Sequence, residues 1–287
     1  MRTRSSNIKK FLMFALVPLV MFTLVLVIPF AQGVFYTFTD WNGGSSFDSF
    51  VGLDNYIASF QDGDFWQSMG ITLAYVAACL VLVNLVAFGL ALLVTIPMRG
   101  VNGLRTAFFV PNLIGGVILG LIWQFLFGQA FVKLLPSIFN PNWLLDTTTA
   151  FWAMVIVTVW QMSGYMMIIY VTALMSIDPE TMEASNLDGA SGLKALLFIK
   201  IPLIAQAFTI SLFLTLRNAF MAYDVNLALT GGGPFRSTEL ISLRVFTEAF
   251  GFGNFDTGQA QAVLMFILVA LAAVTQVAVA KRFEVQR

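Results

Sequence analysis

The chain has no histidine, one cysteine, and charged side chains at only 10% of its 287 positions. Without histidine there is no imidazole metal site and no histidine acid–base catalyst. Cys79 has no second thiol to pair with, and within its apolar run it reads as a small buried hydrophobe. No Gly-x-x-x-x-Gly-Lys-Ser/Thr phosphate loop occurs, so ATP has no such cradle on this chain. The net charge is zero, which leaves no basic footprint for nucleic acid. A soluble domain carries about 25% charged residues. A chain with 10% charged and 59% hydrophobic residues cannot cover its surface in water, so lipid must solvate much of it.

What is present in abundance is long apolar runs. A helix that crosses a bilayer needs roughly 20 mostly apolar residues. Six stretches qualify: 11–30, 70–94, 107–127, 150–175, 203–229 and 259–280. The first has a basic start in Arg2, Arg4, Lys9 and Lys10, as a signal peptide would. Its apolar part exceeds the roughly 7–15 residues of a cleaved signal and no small-x-small site follows, which favours a retained helix. The 29 phenylalanines read as lipid-facing or packing residues.

Charge gives the orientation. With six crossings both termini share a side, and that side holds Arg2, Arg4, Lys9, Lys10, Arg99, Arg105, Lys194, Lys200, Lys281, Arg282 and Arg287. The other side holds only Lys133, Arg236 and Arg244, with most acids: Asp40, Asp48, Asp54, Asp62, Asp64, Asp146, Glu239, Glu248 and Asp256. Eleven basic residues against three predict cytoplasmic termini.

The segment 176–202 is the longest connection on that side and clusters Asp178, Glu180, Glu183 and Asp188. Asp178 followed by Pro179 is a helix start, and Glu180 suits the positive helix end. Gly189 and Gly192 allow a bend. The pattern predicts a short helix, a turn, and a second helix entering the membrane near Pro202. A solvated connector is the plain reading; a folded helix–turn–helix between spans otherwise needs a partner to pack on.

These residues resemble a known family. Glu183-Ala184-Ser185, then Asp188-Gly189-Ala190, then Ile199-Lys200-Ile201-Pro202 is similar to the "EAA" loop of the permease subunits of ATP-binding-cassette (ABC) importers, with Ser185 in place of the third alanine and Ile201 in place of leucine. Phe50-Val51-Gly52-Leu53-Asp54-Asn55-Tyr56 and Leu229-Thr230-Gly231-Gly232-Gly233-Pro234 look like two external segments of the same permeases. Val110-Pro111-Asn112 falls where relatives have Leu-Pro and often an aromatic, so Asn112 departs from the pattern. The resemblance spans roughly residues 10 to 285 and points to the carbohydrate-type branch, the relatives of maltose and glycerol-phosphate permeases.

The resemblance implies an all-α, polytopic fold with six transmembrane helices, a type I ABC importer transmembrane domain. It implies a cytoplasmic tail at 1–10, one permease domain at 11–287, and a coupling loop at 176–202. It implies a prokaryotic inner membrane, a second homologous permease, two cytoplasmic ATPase subunits, an extracytoplasmic solute-binding protein, and a sugar or similar solute. ATP and Mg would be bound by the ATPase, and this chain would have no cofactor, no metal and no catalytic site. Glu183, Ala184, Ser185, Asp188, Gly189 and Ala190 would belong to the ATPase contact. Carried over by alignment to Glu183 and Pro202, the pathway positions become Asn112, Met162, Tyr165, Thr215, Asn218 and Ala219.

The residues themselves add to that set. Polar groups inside a membrane usually face a cavity or a partner helix. Gln161, Ser163 and Tyr165 lie in the fourth stretch, and Thr215, Arg217, Asn218, Tyr223, Asp224 and Asn226 in the fifth. Gln161 and Tyr223 therefore join the pathway candidates. Thr215, Asn218 and Ala222 share a helix face at i, i+3 and i+7. Such residues also serve as interhelical glue. Arg217 has three readings: a pair with Asp224, a pair with the partner permease, or a pair with an anionic substrate. The rival classes are an ion-coupled secondary transporter or channel, which tends to show repeats or mid-membrane charge pairs, and a membrane scaffold.

Overall fold

The computed structural model describes residues 2–44, 46–47, 49–139 and 142–283, with the side chains of 2–10 and 283 outside the description. Asp48, Arg287 and the side chains of Arg2, Arg4, Lys9 and Lys10 therefore lie outside the described residues. All regular elements among the described residues are helical, apart from one isolated bridge between Thr39 and Phe50. Two compact units form: Met1–Gly63 with Val245–Leu264, and Asp64–Arg244 with Met265–Arg287.

The first unit contains helix α1 (Phe11–Tyr36) and the short helix α2 (Asp54–Gln61). Along α1 large side chains such as Phe14, Val17, Phe22 and Val25 are exposed, which water would not tolerate and lipid accepts. The Asn55 side-chain amide is buried and donates to the carbonyls of Thr37 and Thr39 at 2.9 and 2.8 Å. The Tyr56 hydroxyl pairs with the Thr37 hydroxyl at 2.8 Å. Those bonds explain the Asp-Asn-Tyr run: it staples the start of α2 to the chain just beyond α1.

The second unit holds the site. Helix α3 (Gly63–Val94) precedes α4 (Val101–Phe109), α5 (Gly116–Leu134) and α6 (Thr147–Met175). After these come the loop helix α7 (Pro179–Leu187), then α8 (Gly192–Leu203), α9 (Ala205–Phe220) and α10 (Asp224–Leu229). Ile241–Phe246 forms α11, and α12 (Phe255–Ala280) closes the chain. Among the described residues five helices are long and apolar enough to cross a membrane, and α8 with α9 makes six if that pair, bent by 71°, is one crossing. Of these five, α6 is the most buried, whereas α1 and α12 are the least.

The third and fifth stretches differ from the sequence reading of 107–127 and 203–229. The third breaks at Pro111 and at Ile114–Gly115, where the backbone turns extended, so the crossing helix runs Gly116–Leu134. Proline lacks the N–H that would continue the helical ladder. The fifth bends at Ile204, two residues after Pro202, and breaks again after Phe220.

Close approach of small residues sets the packing. Gly164 of α6 lies against the carbonyl of Phe108 in α4, where a methyl group would have no room. Gly116 and Gly120 of α5 face Asp224 and Ala228 of α10, and a Cβ on either would come within 2.6 Å of their Cβ atoms. This is the small-xxx-small spacing that lets membrane helices touch along their backbones. Tyr170, fully buried, sits between the rings of Phe88 and Phe208, with centroids 5.5 and 4.7 Å away, and ties α3, α6 and α9 together.

One group of charges outside the apolar runs pairs internally. Arg236 bonds Asp64 and lies 3.3 Å from Glu239, which is buried and accepts from Ser68.

Candidate functional site

The loop 176–202 folds as its residues require. The Asp178 carboxylate accepts the backbone N–H of Glu180 at 3.1 Å and caps α7, and Pro179 occupies the first turn, where no N–H is needed. The end is closed twice. The Ala190 N–H reaches the Ser185 carbonyl at 3.0 Å, and the Gly189 N–H reaches the Asn186 carbonyl at 3.1 Å. That pair of bonds needs a left-handed residue after the cap, and Gly189 supplies it at φ +77°. The Ser185 hydroxyl, buried, adds a bond to the Ala190 carbonyl at 3.2 Å. Ser185 and Ala190 therefore shape the turn from inside. Glu183, Ala184, Asp188 and Gly189 are exposed on it. Leu187 is 90% exposed, and Leu193 and Phe198 are exposed farther along. The result is a self-closed helix that leaves two acids and Leu187 exposed.

The second feature lies at mid-span. A cavity of about 240 Å³ is lined by Asn112, Thr158, Gln161, Met162, Asn218, Tyr223 and Asp224, among others. It brings together five of the eight pathway candidates: Asn112, Gln161, Met162, Asn218 and Tyr223. Gln161 is fixed in place by donating to the Ile114 carbonyl at 3.1 Å, at the break in the third stretch. Tyr165 lies elsewhere, on a groove of about 670 Å³ between α6 and α9 that ends at Ser176 and Pro202. Thr215 and Ala219 are fully buried and line neither space. Thr215 donates to the Ser211 carbonyl at 2.8 Å and faces Asn84 at 3.4 Å. Thr215 and Asn218 therefore point to different neighbours, and Ala222, at the cavity, follows the break after Phe220.

One hydrogen-bonding residue escaped the sequence reading, and a second, noted only as a polar residue of the fifth stretch, has a role that reading did not give it. Asn84 is a hub: its amide oxygen accepts the hydroxyls of Tyr170 at 2.8 Å and Ser211 at 2.6 Å, and its amide nitrogen donates to the Leu80 carbonyl at 2.8 Å. A lone amide in an apolar run was the available signal. Asn226 is the other, donating to the Thr238 carbonyl at 2.8 Å and accepting from the Leu240 N–H at 3.0 Å, which pins the Leu229–Pro234 turn. Arg217 makes no ion pair with Asp224 or with any other acid among the described residues.

Helices long and apolar enough to cross a membrane, a polar cavity between them and an exposed loop helix suit a transport subunit. The fold agrees with a solved bacterial ABC transporter "involved in the import of the acidic polysaccharide alginate": TM-score 0.83 at 18% identity, over 98% of this chain and 99% of that one. The family described as "Binding-protein-dependent transport system inner membrane component" matches residues 99–284. The "Probable starch degradation products transport system permease protein AmyD" of Thermoanaerobacterium thermosulfurigenes is 43% identical over 92% of this chain and 91% of its own. The "Multiple sugar-binding transport system permease protein MsmF" of Streptococcus mutans is 30% identical over 95% of both. The chain belongs to this inner-membrane family, the permeases of ABC importers, in its carbohydrate-type branch. The ion-coupled transporter reading falls away.

Proposed function

We propose that the chain forms half of a solute pathway and draws its energy from a separate ATPase through α7. The observation that supports this best is the self-closed loop helix with Glu183, Ala184, Leu187 and Asp188 bare on its surface. A helix that uses its own bonds to stay rigid can transmit a push, and its exposed leucine needs a cover. In this reading both termini are cytoplasmic, in accord with the eleven-to-three bias of basic residues. ATP and Mg bind the partner, and this chain performs no catalysis. A second homologous permease completes the pathway, and an extracytoplasmic binding protein delivers the solute.

The solute we propose is a sugar or a close relative. Asn112, Gln161 and Asn218 offer the donors and acceptors that hydroxyls need, with Tyr223 and Met162 as apolar surface. The names of the relatives, a starch-product and a multiple-sugar permease, point the same way. The cavity on this chain, about 240 Å³, falls below the roughly 300–1,000 Å³ of a complete small-molecule site, which fits a site finished by a partner. ATP binding would close the ATPase pair, move α7, and shift the permease pair between two states that the binding protein distinguishes.

Copurification and uptake test this. Tagged chain should bring down an ATPase and a second permease, and reconstituted uptake should require ATP hydrolysis and the binding protein. Glu183→Ala and Gly189→Pro should insert normally, yet lower uptake and the ATPase stimulation that substrate-loaded binding protein causes. Full transport by both variants would remove α7 from the energy path.

A further inference from the structure

We propose that Arg217 is one half of an ion pair inside the membrane, that the other half is a carboxylate on a helix of the second permease, and that this pairing prevents two copies of this chain from associating across α9. The inference rests on the proposed function for the existence of that second permease.

Depth comes first. Helix α6 has 29 residues, roughly 43 Å at 1.5 Å each, so its middle lies at Gln161. Asn218 shares one small cavity with Thr158, Gln161 and Met162. Arg217, its neighbour in sequence, therefore sits near the midplane. An extended arginine side chain does not cover the roughly 15 Å from there to either interface.

Direction comes next. Ser211, Thr215, Leu216 and Ala219 are the buried side of α9, held by the Asn84 hub. The opposite side carries Gln206, Ile210, Phe213, Arg217 and Met221, all exposed and spaced by three or four residues. Arg217 therefore points off the chain, and no acid among the described residues pairs with it. Lipid cannot be its surroundings, since a guanidinium at the bilayer centre is costly and the carbonyls at the end of α9 return only part of that cost.

The nature of the stripe selects the occupant. Around the one charge stand Ile210, Phe213 and Met221, apolar side chains of which Ile210 also borders the groove beside Tyr165 and Met221 the polar cavity, and which suit an apolar helix with one acid better than a hydrated solute. Arg217 itself does not line the cavity walled by Asn112, Gln161 and Asn218. Two permeases related by an axis along the membrane normal bring equal depths together. A second copy would thus set Arg217 opposite Arg217 in a low-dielectric layer, a like-charge contact that a different chain with an acid there avoids.

The test uses the assembled importer in detergent, with two differently tagged versions of this chain coexpressed with the second permease. Wild-type chain should retain the second permease and should not bring down its own copy. Arg217→Glu should lower retention of the second permease at least tenfold, and exchanging the facing partner acid for arginine should restore it. Arg217→Lys should keep most of it. Arg217→Met, which a membrane tolerates and which should leave the thermal melt of the chain intact, should let the two tagged copies copurify. Unchanged retention in Arg217→Glu would overturn the proposal. So would normal assembly of Arg217→Met with uptake lost for anionic solutes alone, which would move Arg217 to the solute. Wild-type chain that transports as a pair of identical copies refutes the ion pair while leaving the permease function standing. Wild-type chain that binds no permease and no ATPase removes both.

Discussion

Replacing Asn84 by leucine should uncouple three helices, and the structure sets the size of the effect. Four groups address this side chain: the hydroxyls of Tyr170, Ser211 and Thr215 and the carbonyl of Leu80. After Asn84→Leu the Leu80 carbonyl keeps its helical N–H. Ser211 can turn its hydroxyl to a carbonyl one turn back, as helical serines do, and Thr215 already does so at 2.8 Å. Tyr170 has no such escape, because it is fully buried between Phe88 and Phe208. An orphaned buried hydroxyl costs about 1–3 kcal/mol, while interhelical bonds in membranes average about 0.6 and reach about 1.7 kcal/mol. Asn84→Leu should therefore destabilise by about 2 kcal/mol. Tyr170→Phe should cost about 1 kcal/mol in the wild type, yet be neutral or stabilising beside Asn84→Leu, because there it removes the stranded group. Unfolding of the four proteins in mixed micelles, titrated with a denaturing detergent, closes the cycle. If Tyr170→Phe costs the same in both backgrounds to within about 0.3–0.5 kcal/mol, the hub does not exist as drawn.

Three other expectations are direct. Gly164→Ala places a methyl group on the Phe108 backbone carbonyl, which cannot rotate away, so α4 and α6 must part. A loss of about 3 kcal/mol or more is expected, read as a lower melting temperature in detergent, and a melt equal to wild type would refute the close approach. Gly189→Ala forces a Cβ into the left-handed conformation and should weaken the end of α7 by about 1–2 kcal/mol, with Gly189→Asn milder. Amide exchange over 179–187 reports this, and equal exchange in all three proteins would count against the closing turn. Asp146 caps α6 by accepting the backbone N–H of Thr149, aided by the Thr149 hydroxyl and the Thr148 N–H, and its carboxyl is held below the usual carboxylate range. A depressed value stabilises the fold above the ordinary carboxylate range, and that contribution fades as pH falls through the folded value. The melting difference between wild type and Asp146→Ala should accordingly narrow with acidification; a gap that widens on acidification would contradict the cap.

The crossings were legible because lipid imposes a crude rule that composition obeys. A run of roughly 20 apolar residues crosses, whatever it touches. The loop was legible for a different reason: Asp178-Pro179 and Asp188-Gly189 are local chemistry, and local bonds close both ends of α7. Where the reading needed a second helix, it weakened. Thr215 and Asn218 sit three residues apart with similar polarity, and α9 sends one to Asn84 and the other to the cavity. Periodicity placed them on a common face, but the width of that face spans two environments.

The breaks show the same limit in the backbone. Pro111 and Pro202 were visible, and proline permits both a kink and a stop inside an apolar run. What decides is the neighbour. Gly116 and Gly120 can begin a new helix after Pro111 because Asp224 and Ala228 of α10 fill the space that side chains would have taken. The helix α10 can lie there only because the fifth crossing is itself broken after Phe220. The two irregularities thus belong to one packing solution, and they meet at the cavity, where Gly116, Met221, Ala222 and Asp224 all contribute to its wall. The polar cavity exists at mid-span because two helices stop short of each other there. Filling the gap should therefore do more harm than removing a polar lining residue. Gly116→Val, aimed at Asp224, should abolish uptake, whereas Asn112→Ala should only weaken it. Equal uptake by the two variants in vesicles would show that the lining, and not the break, makes the site.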